Sequence, residues 1–217
     1  MTYKILATGS TGNAVILSDR ILIDIGVPYK LIKPFGKKLQ LVLLTHQHKD
    51  HFNPATAAAL HKERPALRLG CCEWMLDKVL DAGIDRRVID LIVPGRAYSY
   101  GKTVIAAEEV PHDVRNCAWR LLFLGREYDE SVFYLTDCST LDGIEAKGYD
   151  LYMIEANHKR AEIEQKIAEK KAAGLYAYEA AAMRNHLSQE QALDWLAEQM
   201  GPESEYIFLH QHKAKEK

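Results

Sequence analysis

The chain has 217 residues, a length typical of one domain rather than of several modules. Hydrophobic residues make up 47% and charged residues 27%, which can fill a core and solvate a surface, so the composition excludes wholesale disorder. The formal net charge of −2 excludes a global positive field that would hold a nucleic acid or an anionic membrane. A polyanionic substrate would therefore need a local feature, such as bound metal.

The sequence carries no signal of membrane insertion or secretion. No apolar run approaches the roughly 18–20 residues that span a bilayer, and the N-terminal segment lacks the apolar core and cleavage site of a signal peptide. The four cysteines include the neighbours Cys71 and Cys72 but no CxxC pair, which favours reduced thiols over a disulfide framework. We therefore expect a soluble cytoplasmic protein with no membrane partner.

The first part of the chain predicts short strands and then helices. Asn53 is a good helix N-cap before Pro54 and an alanine-rich stretch to His61. A second helix is predicted over residues 73–82, with Gly83 as its C-terminal cap. The strands before them are spaced as in a β-meander, and they cover residues 3–7, 14–17, 21–25 and 41–44.

The second part of the chain predicts further strands, two helices and a last strand. Residues 159–173 predict a charged helix, either a solvated surface helix or a lid over the substrate, whereas residues 188–200 predict a helix with a Ser188–Gln191 capping box. We expect one layered α/β domain over residues 1–217, with residues 159–187 as a candidate lid or helical insertion. The strands are predicted at residues 88–93, 97–100, 103–110, 117–124, 131–135, 151–155 and 206–209.

The most informative segment is the heptapeptide THQHKDH at residues 45–51, between a predicted strand and a predicted helix. Residues two apart in extended backbone project to the same side, so His46 and His48 can present imidazoles to one metal ion. Asp50 and His51 follow after the chain has turned, and they can address a second ion about 3.5–4 Å away. The spacing therefore predicts a loop that serves two ions.

Two ions need more ligands than one loop provides, and later strand ends offer them. His112 follows a strand in VPHD, Asp137 follows a strand in YLTD and could bridge two ions, and His210 follows the last strand in FLHQHK. Each has a simpler interpretation, as a structural histidine or a turn aspartate, and His212 competes with His210. Asp24, after the strand that begins at residue 21, is either a turn residue or a group that orients the metal loop.

With these segments in view, the sequence resembles the metallo-β-lactamase superfamily, whose H-x-H-x-D-H motif stands here at residues 46–51. The order GSTGN, LIDIG, THQHKDH, VPHD, YLTD, EANH, NHLS and FLH looks most like its YycJ/WalJ-type branch, which is related to exonucleases and phosphodiesterases. The chain departs from that branch after its last strand, where HQH replaces the usual H-L-S. The resemblance implies a four-layer αββα sandwich with a two-metal site at one edge of the sheets.

The resemblance also assigns the ligands to two sets that share one carboxylate. Asp137 would bridge the ions, and its presence together with Asp50 and His51 argues against antibiotic hydrolysis. The ions would be zinc, with manganese or iron as alternatives, because histidine and aspartate suit all three. The first set is His46, His48 and His112, and the second set is Asp50, His51 and His210.

These features predict a dinuclear metal-dependent hydrolase that cleaves phosphodiester bonds, including DNA or RNA ends, by attack of a hydroxide that bridges the ions. We expect Asp50, Asp137 and His186 to take part in catalysis. His186, before the capped helix, would bind a substrate oxyanion or protonate the leaving group, or would be a structural residue; Asn157 and His158 could line the same cleft.

Two other functions use the same site. A thioester or lactone hydrolase would require an apolar acyl pocket beside the metal ions. A non-catalytic module that only recognises a partner is disfavoured, because the full ligand set is present and such a descendant could lose ligands.

Overall fold

The protein, described by a computed structural model over residues 1–211, contains two six-stranded sheets. The first sheet consists, in spatial order, of β1 (Tyr3–Ala7), β2 (Ala14–Leu17), β3 (Ile21–Ile23), β4 (Leu41–Leu44), β5 (Arg68–Cys71) and β6 (Ile89–Leu91). The second sheet has the order β12-β11-β10-β9-β8-β7, and its strands are β7 (Ala97–Tyr100), β8 (Thr103–Val110), β9 (Asn116–Phe123), β10 (Glu130–Leu135), β11 (Leu151–Glu155) and β12 (Glu205–Leu209).

Six α-helices flank the sheets in the described range, and two short 3-10 helices cover Glu73–Met75 and Arg86–Val88. None of the helices within residues 1–211 is long and apolar enough to cross a lipid bilayer. The α-helices are α1 (Tyr29–Ile32), α2 (Pro54–Glu63), α3 (Leu76–Asp81), α4 (Arg160–Ala172), α5 (Glu179–Asn185) and α6 (Gln189–Gln199).

Three apolar clusters hold the layers together. The inner faces of the two sheets bury residues such as Leu43 and Trp119 against each other. The outer face of the first sheet packs on α1, α2 and α3 through residues such as Leu60, and the outer face of the second sheet packs on α6 through Tyr152 and Trp195. Helix, sheet, sheet and helix therefore form the predicted αββα sandwich, and all four cysteines are buried free thiols.

Several local predictions need correction. The meander ends at β3, because β3, β4, β5 and β6 are parallel to one another and their connections carry helices. The run at residues 88–93 adds β6 to the first sheet, not to the second. The helix predicted at residues 73–82 begins as a 3-10 turn and is α-helical only over α3, although Gly83 ends it with a φ of +82° as expected. The sequence patterns missed α1, α5 and β5.

The strand directions place six chain segments at one edge of the sandwich. In the second sheet β10, β11 and β12 are parallel, and β8 runs the same way because both β8 and β10 are antiparallel to β9. In the first sheet β3 and β4 are parallel. The carboxyl ends of parallel strands share an edge, so all the polar segments that follow these strands can converge there.

Gly26 allows two of these segments to pack without a gap. Its amide donates to the Asn13 carbonyl at 3.0 Å, and the Asn13 amide donates to the Asp50 carbonyl at 2.6 Å. A Cβ on Gly26 would overlap the Asp50 carbonyl and lie 2.6 Å from the His51 nitrogen. The glycine is therefore required by close backbone approach to the THQHKDH loop.

We expect Gly26→Ala to displace that loop and to lower the free energy of unfolding by about 1–3 kcal/mol, as overpacked sites usually do. Urea denaturation measures this loss. The control is Gly36→Ala, whose Cβ would meet only ordinary contacts, the nearest at 3.5 Å from the Lys33 oxygen. Equal stability of the two variants would contradict the role given to Gly26.

Candidate metal centre

The first cluster of side chains forms where β4 and β8 end. His46 is fully buried, and its Nε2 lies 3.1 Å from His48 Nδ1 and 3.4 Å from Asp137 Oδ2. His112 reaches the same point, with its Nε2 3.8 Å from Asp137 Oδ2. One ligand atom from each of these four residues lies within 4.8 Å of the others, as one metal ion requires.

The second cluster shares Asp137 with the first. Asp137 Oδ2 lies 3.2 Å from His51 Nε2, and its Oδ1 lies 2.9 Å from His210 Nδ1. Asp50 Oδ2 lies 3.7 Å from His51 Nε2 and 3.6 Å from His210 Nε2. Asp50, His51, Asp137 and His210 thus form a second compact group of ligand atoms. The structure brings together all seven residues that the sequence singled out as ligands, and their role as ligands stays a prediction.

A buried carboxylate that the sequence analysis missed joins the centre. Glu155 is the last residue of β11 and is fully buried. Its Oε1 lies 2.6 Å from His186 Nδ1 and 2.9 Å from His210 Nδ1, while its Oε2 accepts from the Cys138 amide at 2.9 Å. Its position in the sequence could have indicated this role, because Glu155 ends a buried strand and that strand pairs with the strand that leads to Asp137.

Other polar groups fix the orientation of the imidazoles. Asp24 lies 2.7 Å from His51 Nδ1 and accepts from the Thr45 amide at 3.0 Å, which confirms its predicted contact with the metal loop. The Asn13 side-chain amide lies 2.8 Å from His51 Nε2, a contact that the sequence patterns did not indicate. His112 Nδ1 lies 3.1 Å from the Asn185 carbonyl, so it donates there and its Nε2 is free to bind metal.

The backbone at the centre is strained. Asp24, Asp137 and His210 have φ values of +59°, +56° and +52°, in the left-handed region that residues with a side chain seldom adopt. Each such residue costs of order 1–3 kcal/mol and persists only where its surroundings hold it. Asp24 and His210 directly follow β3 and β12, and Asp137 follows β10 after Thr136. The turns at these strand ends direct the three side chains toward the centre. Backbone strain is therefore found at strand ends that carry two proposed ligands, Asp137 and His210, and the orienting residue Asp24.

Charge is arranged unevenly among the buried groups. Burial, with His51 close by, lowers the pKa of His46 to about 4, so its ring is neutral and offers a lone pair. Burial alone would lower the pKa of His51, but the carboxylates of Asp137 and Asp24 raise it to about 10. Burial would raise the pKa of Asp137, yet His51 and His210 hold it well below its usual range. The site thus favours an ionised carboxylate that attracts positive charge.

The donor set fits two transition-metal ions. The Nε2 atoms of His112 and His210 are both buried and make no hydrogen bond of good geometry within the described residues, although Asp113 Oδ1 lies 3.0 Å from the first and Asp50 Oδ2 lies 3.6 Å from the second. Buried polar groups normally find a partner, and here one such atom belongs to each cluster. Imidazole nitrogens with a few carboxylate oxygens are the ligands that zinc, manganese and iron accept.

The remaining predicted residues take different places. His186 lies beside the second cluster through Glu155, with its Nδ1 4.0 Å from Asp137 Oδ1. The Asn157 side chain donates to the His210 carbonyl at 3.1 Å, whereas His158 belongs to neither cluster. His212 lies outside the described residues. Asp113, which the sequence analysis did not select, lies 3.0 Å from His112 Nε2.

Comparisons with known proteins bear on the family and on the fold. The sequence pattern of the family described as "Beta-lactamase superfamily domain" matches residues 20–210. No curated protein matches the chain significantly in sequence.

Solved structures of similar fold include three relatives of low sequence identity. Human tRNase Z, short form, has a TM-score of 0.73 at 14% identity, with 98% of this chain and 93% of that chain covered. The metallo-β-lactamase fold protein YhfI from Bacillus subtilis has a TM-score of 0.71 at 16% identity, with 96% and 85% covered. A long form RNase Z from yeast has a TM-score of 0.67 at 12% identity, with 98% and 38% covered.

The fold and the histidine and aspartate clusters are those of a metal-dependent hydrolase. The chain belongs to the metallo-β-lactamase superfamily.

We expect about two transition-metal ions per chain by elemental analysis of protein purified without chelator or tag. His210→Ala should lose about one equivalent, because losing a ligand weakens its ion directly, whereas loss of an orienting group costs only about 10–100-fold in affinity. His61→Ala on α2 is the control and should retain both ions. A His210→Ala variant with two ions, beside a His186→Ala or His212→Ala variant with one, would contradict this ligand assignment.

Proposed function

We propose that this protein is a dinuclear metal-dependent phosphodiesterase of the YycJ/WalJ-type branch that acts on nucleic-acid ends. The observation that carries the proposal is Asp137, one buried carboxylate shared by two complete ligand clusters. Zinc is the proposed metal in both sites. His46, His48 and His112 would hold one ion, and Asp50, His51 and His210 would hold the other.

Metal ions bound by these residues would supply a water of lowered pKa and would offset the negative charge of a phosphoryl group. The chain's own contribution is to position groups around that centre. Asp24 and Asn13 fix the His51 ring, and the strained turn at Asp137 presents both carboxylate oxygens to the imidazoles. An acidic chain could therefore bind a polyanion at this point without a basic surface.

His186 is the proposed proton donor to the leaving group. Glu155 holds its Nδ1 at 2.6 Å, so Nε2 is the atom left to meet a substrate oxygen. Burial would lower the pKa of His186, but the Glu155 carboxylate outweighs burial and raises that pKa above its usual value, which favours the protonated ring. An acid close to the reacting centre is what an alkoxide leaving group requires.

A nucleic-acid substrate is supported by chemistry and by similarity. Two structures of similar fold are named as ribonucleases, human tRNase Z and a yeast RNase Z. A cavity beside the centre is lined by two lysines, two glutamates and three side-chain amides, polar groups that suit a nucleotide better than an acyl chain. A thioester or lactone hydrolase would need an apolar pocket there, and a binding-only module would not need a complete ligand set.

We also propose that residues 159–187 are a helical insertion in a single domain. Its helices α4 and α5 pack on each other, and α4 buries Ile163 and Ile167 as its two apolar anchors. The end of α5 supplies the Asn185 carbonyl to His112 and leads directly to His186. The insertion thereby connects one wall of the cleft to the metal centre.

The function is tested with thymidine 5′-(p-nitrophenyl phosphate), a thioester and a lactone, each with zinc, manganese and iron. We expect the phosphodiester to be cleaved and Asp137→Asn to abolish turnover while circular dichroism shows an intact fold, because a neutral amide cannot hold two cations. Asp142→Asn, at an exposed position, is the control and should keep full activity. Turnover confined to the thioester or the lactone would overturn the proposal.

A second experiment tests the proton donor. We expect His186→Ala to retain both ions and to lower turnover of a dinucleotide, whose leaving group is an alkoxide, by about 10²–10⁴-fold. A p-nitrophenyl ester should lose far less, since p-nitrophenolate leaves without a proton. Glu155→Gln, like His186→Ala, should lower turnover of the dinucleotide and, to a smaller extent, turnover of the p-nitrophenyl ester. Equal losses on both substrates would show that His186 binds or positions rather than protonates.

A further inference from the structure

A cavity of about 260 Å³ adjoins the metal centre on the side of α4 and α5. We name it the α4 cavity. It shares a wall with the centre, because Asn157 lines the cavity and donates to the His210 carbonyl at 3.1 Å, and Gln211 lines it directly after His210. Ile163 and Ala182 give the cavity an apolar side. The cavity therefore begins beside His210, one of the proposed ligands.

Three groups of the α4 cavity have an atom without a partner within the described part of the chain: His158, Lys166 and the Oε2 of Glu179. The His158 side chain is buried, with 9% of its surface exposed, and its Nδ1 has no hydrogen-bond partner. Lys166 is half-buried and has no carboxylate within salt-bridge distance. Its neighbours on α4 differ, since Lys159 pairs with Glu162 at 3.2 Å and Lys170 pairs with Glu179 at 2.6 Å. Unpartnered polar groups in a cavity indicate a ligand that supplies their partners.

The wall formed near α5 carries an aromatic ring. Tyr178 lines the cavity and is 53% exposed, and the Lys170 ammonium lies 3.8 Å from the centre of its ring. Gln189, at the first turn of α6, adds a side-chain amide. A planar ring beside amide and imidazole groups is the combination that proteins use to stack and hydrogen-bond an unpaired nucleobase.

We propose that the α4 cavity is a subsite for the nucleoside next to the scissile phosphate, with the base against Tyr178 and its polar edge at His158 and Gln189. Lys166 contacts the phosphate on the far side of that nucleoside. This inference rests on the proposed phosphodiesterase function and adds its substrate class, a single-stranded nucleic acid read one nucleoside at a time.

The size and the polar lining of the cavity favour this occupant over others. Its volume lies just below the roughly 300–1,000 Å³ usual for small-molecule sites, so it takes one nucleoside and not a base-paired duplex. A free phosphate would satisfy Lys166 but would leave the apolar wall and Tyr178 without contacts. A fatty acyl group would cover Lys166 and His158 without offering them hydrogen-bond partners. Burial of these polar groups without partners would oppose its binding.

The kinetic test compares two esters with the same leaving group, thymidine 5′-(p-nitrophenyl phosphate) and methyl p-nitrophenyl phosphate. Stacking on an aromatic side chain is worth about 1–3 kcal/mol per base, which corresponds to roughly 5–150-fold. We expect Tyr178→Ala to lower the preference for the thymidine ester by at least about fivefold, and Lys166→Gln to do so only for a thymidine ester that also carries a 3′-phosphate, the group that Lys166 would contact. The control is Lys171→Gln, an exposed position on α4 outside the cavity, which should keep that preference. Equal losses on both esters, or no loss, in Tyr178→Ala would overturn the subsite.

A binding experiment tests the cavity without turnover. Chelator-treated protein is titrated by calorimetry with thymidine 5′-monophosphate, ribose 5-phosphate and inorganic phosphate. We expect the nucleotide to bind at least about fivefold more tightly than ribose 5-phosphate, and Tyr178→Ala to remove that difference. Equal binding of the three ligands would overturn the subsite. Failure of the wild-type enzyme to cleave either ester with any of the three metals would contradict the phosphodiesterase proposal, and the calorimetric result alone would then decide the subsite.

Discussion

The carboxylate of Asp137 lies between two sets of imidazoles, and most of the structure around it serves to hold it there. It is buried, it sits in a left-handed turn, and its oxygens approach His46, His51 and His210. A buried carboxylate without counter-charge is costly, so these imidazoles and any bound cations stabilise it. In return, its negative charge holds several buried nitrogens at one point. Loss of the Asp137 carboxylate would remove the negative charge that both clusters share.

The fold satisfies this constraint by the direction of its strands. Parallel pairing of β10, β11 and β12 places Asp137, Glu155 and His210 at the same edge, and parallel pairing of β3 and β4 places Asp24 beside the metal loop. The two sheets pack through a close-packed apolar interior, which prevents the strand ends from moving apart. The rigid layers thus hold the loops in register, and function is carried by the loops.

Glu155 links the metal centre to the rest of the cleft. It contacts His210 in the second cluster and His186 at the end of the insertion, so one side chain orients a proposed ligand and a proposed proton donor. Next to it along the chain, Asn157 and His158 begin the wall of the α4 cavity. The chemical step and substrate binding are therefore coupled through one strand end, and substitutions at β11 should affect both.

The sequence by itself determined most of the elements, though not α1, α5 or β5, and the first part of the site. The THQHKDH motif, the capped helix α6 and most strand limits depend on local spacing and on caps, which are properties of neighbouring residues. Only the tertiary structure decided the rest. Glu155 and Asn13 became site residues because strand pairing brings them to His210 and His51, and the parallel order of β3 to β6 depends on helical connections that short apolar runs do not reveal. Contacts between residues far apart in the chain have no local signature, so the α4 cavity was invisible in the sequence.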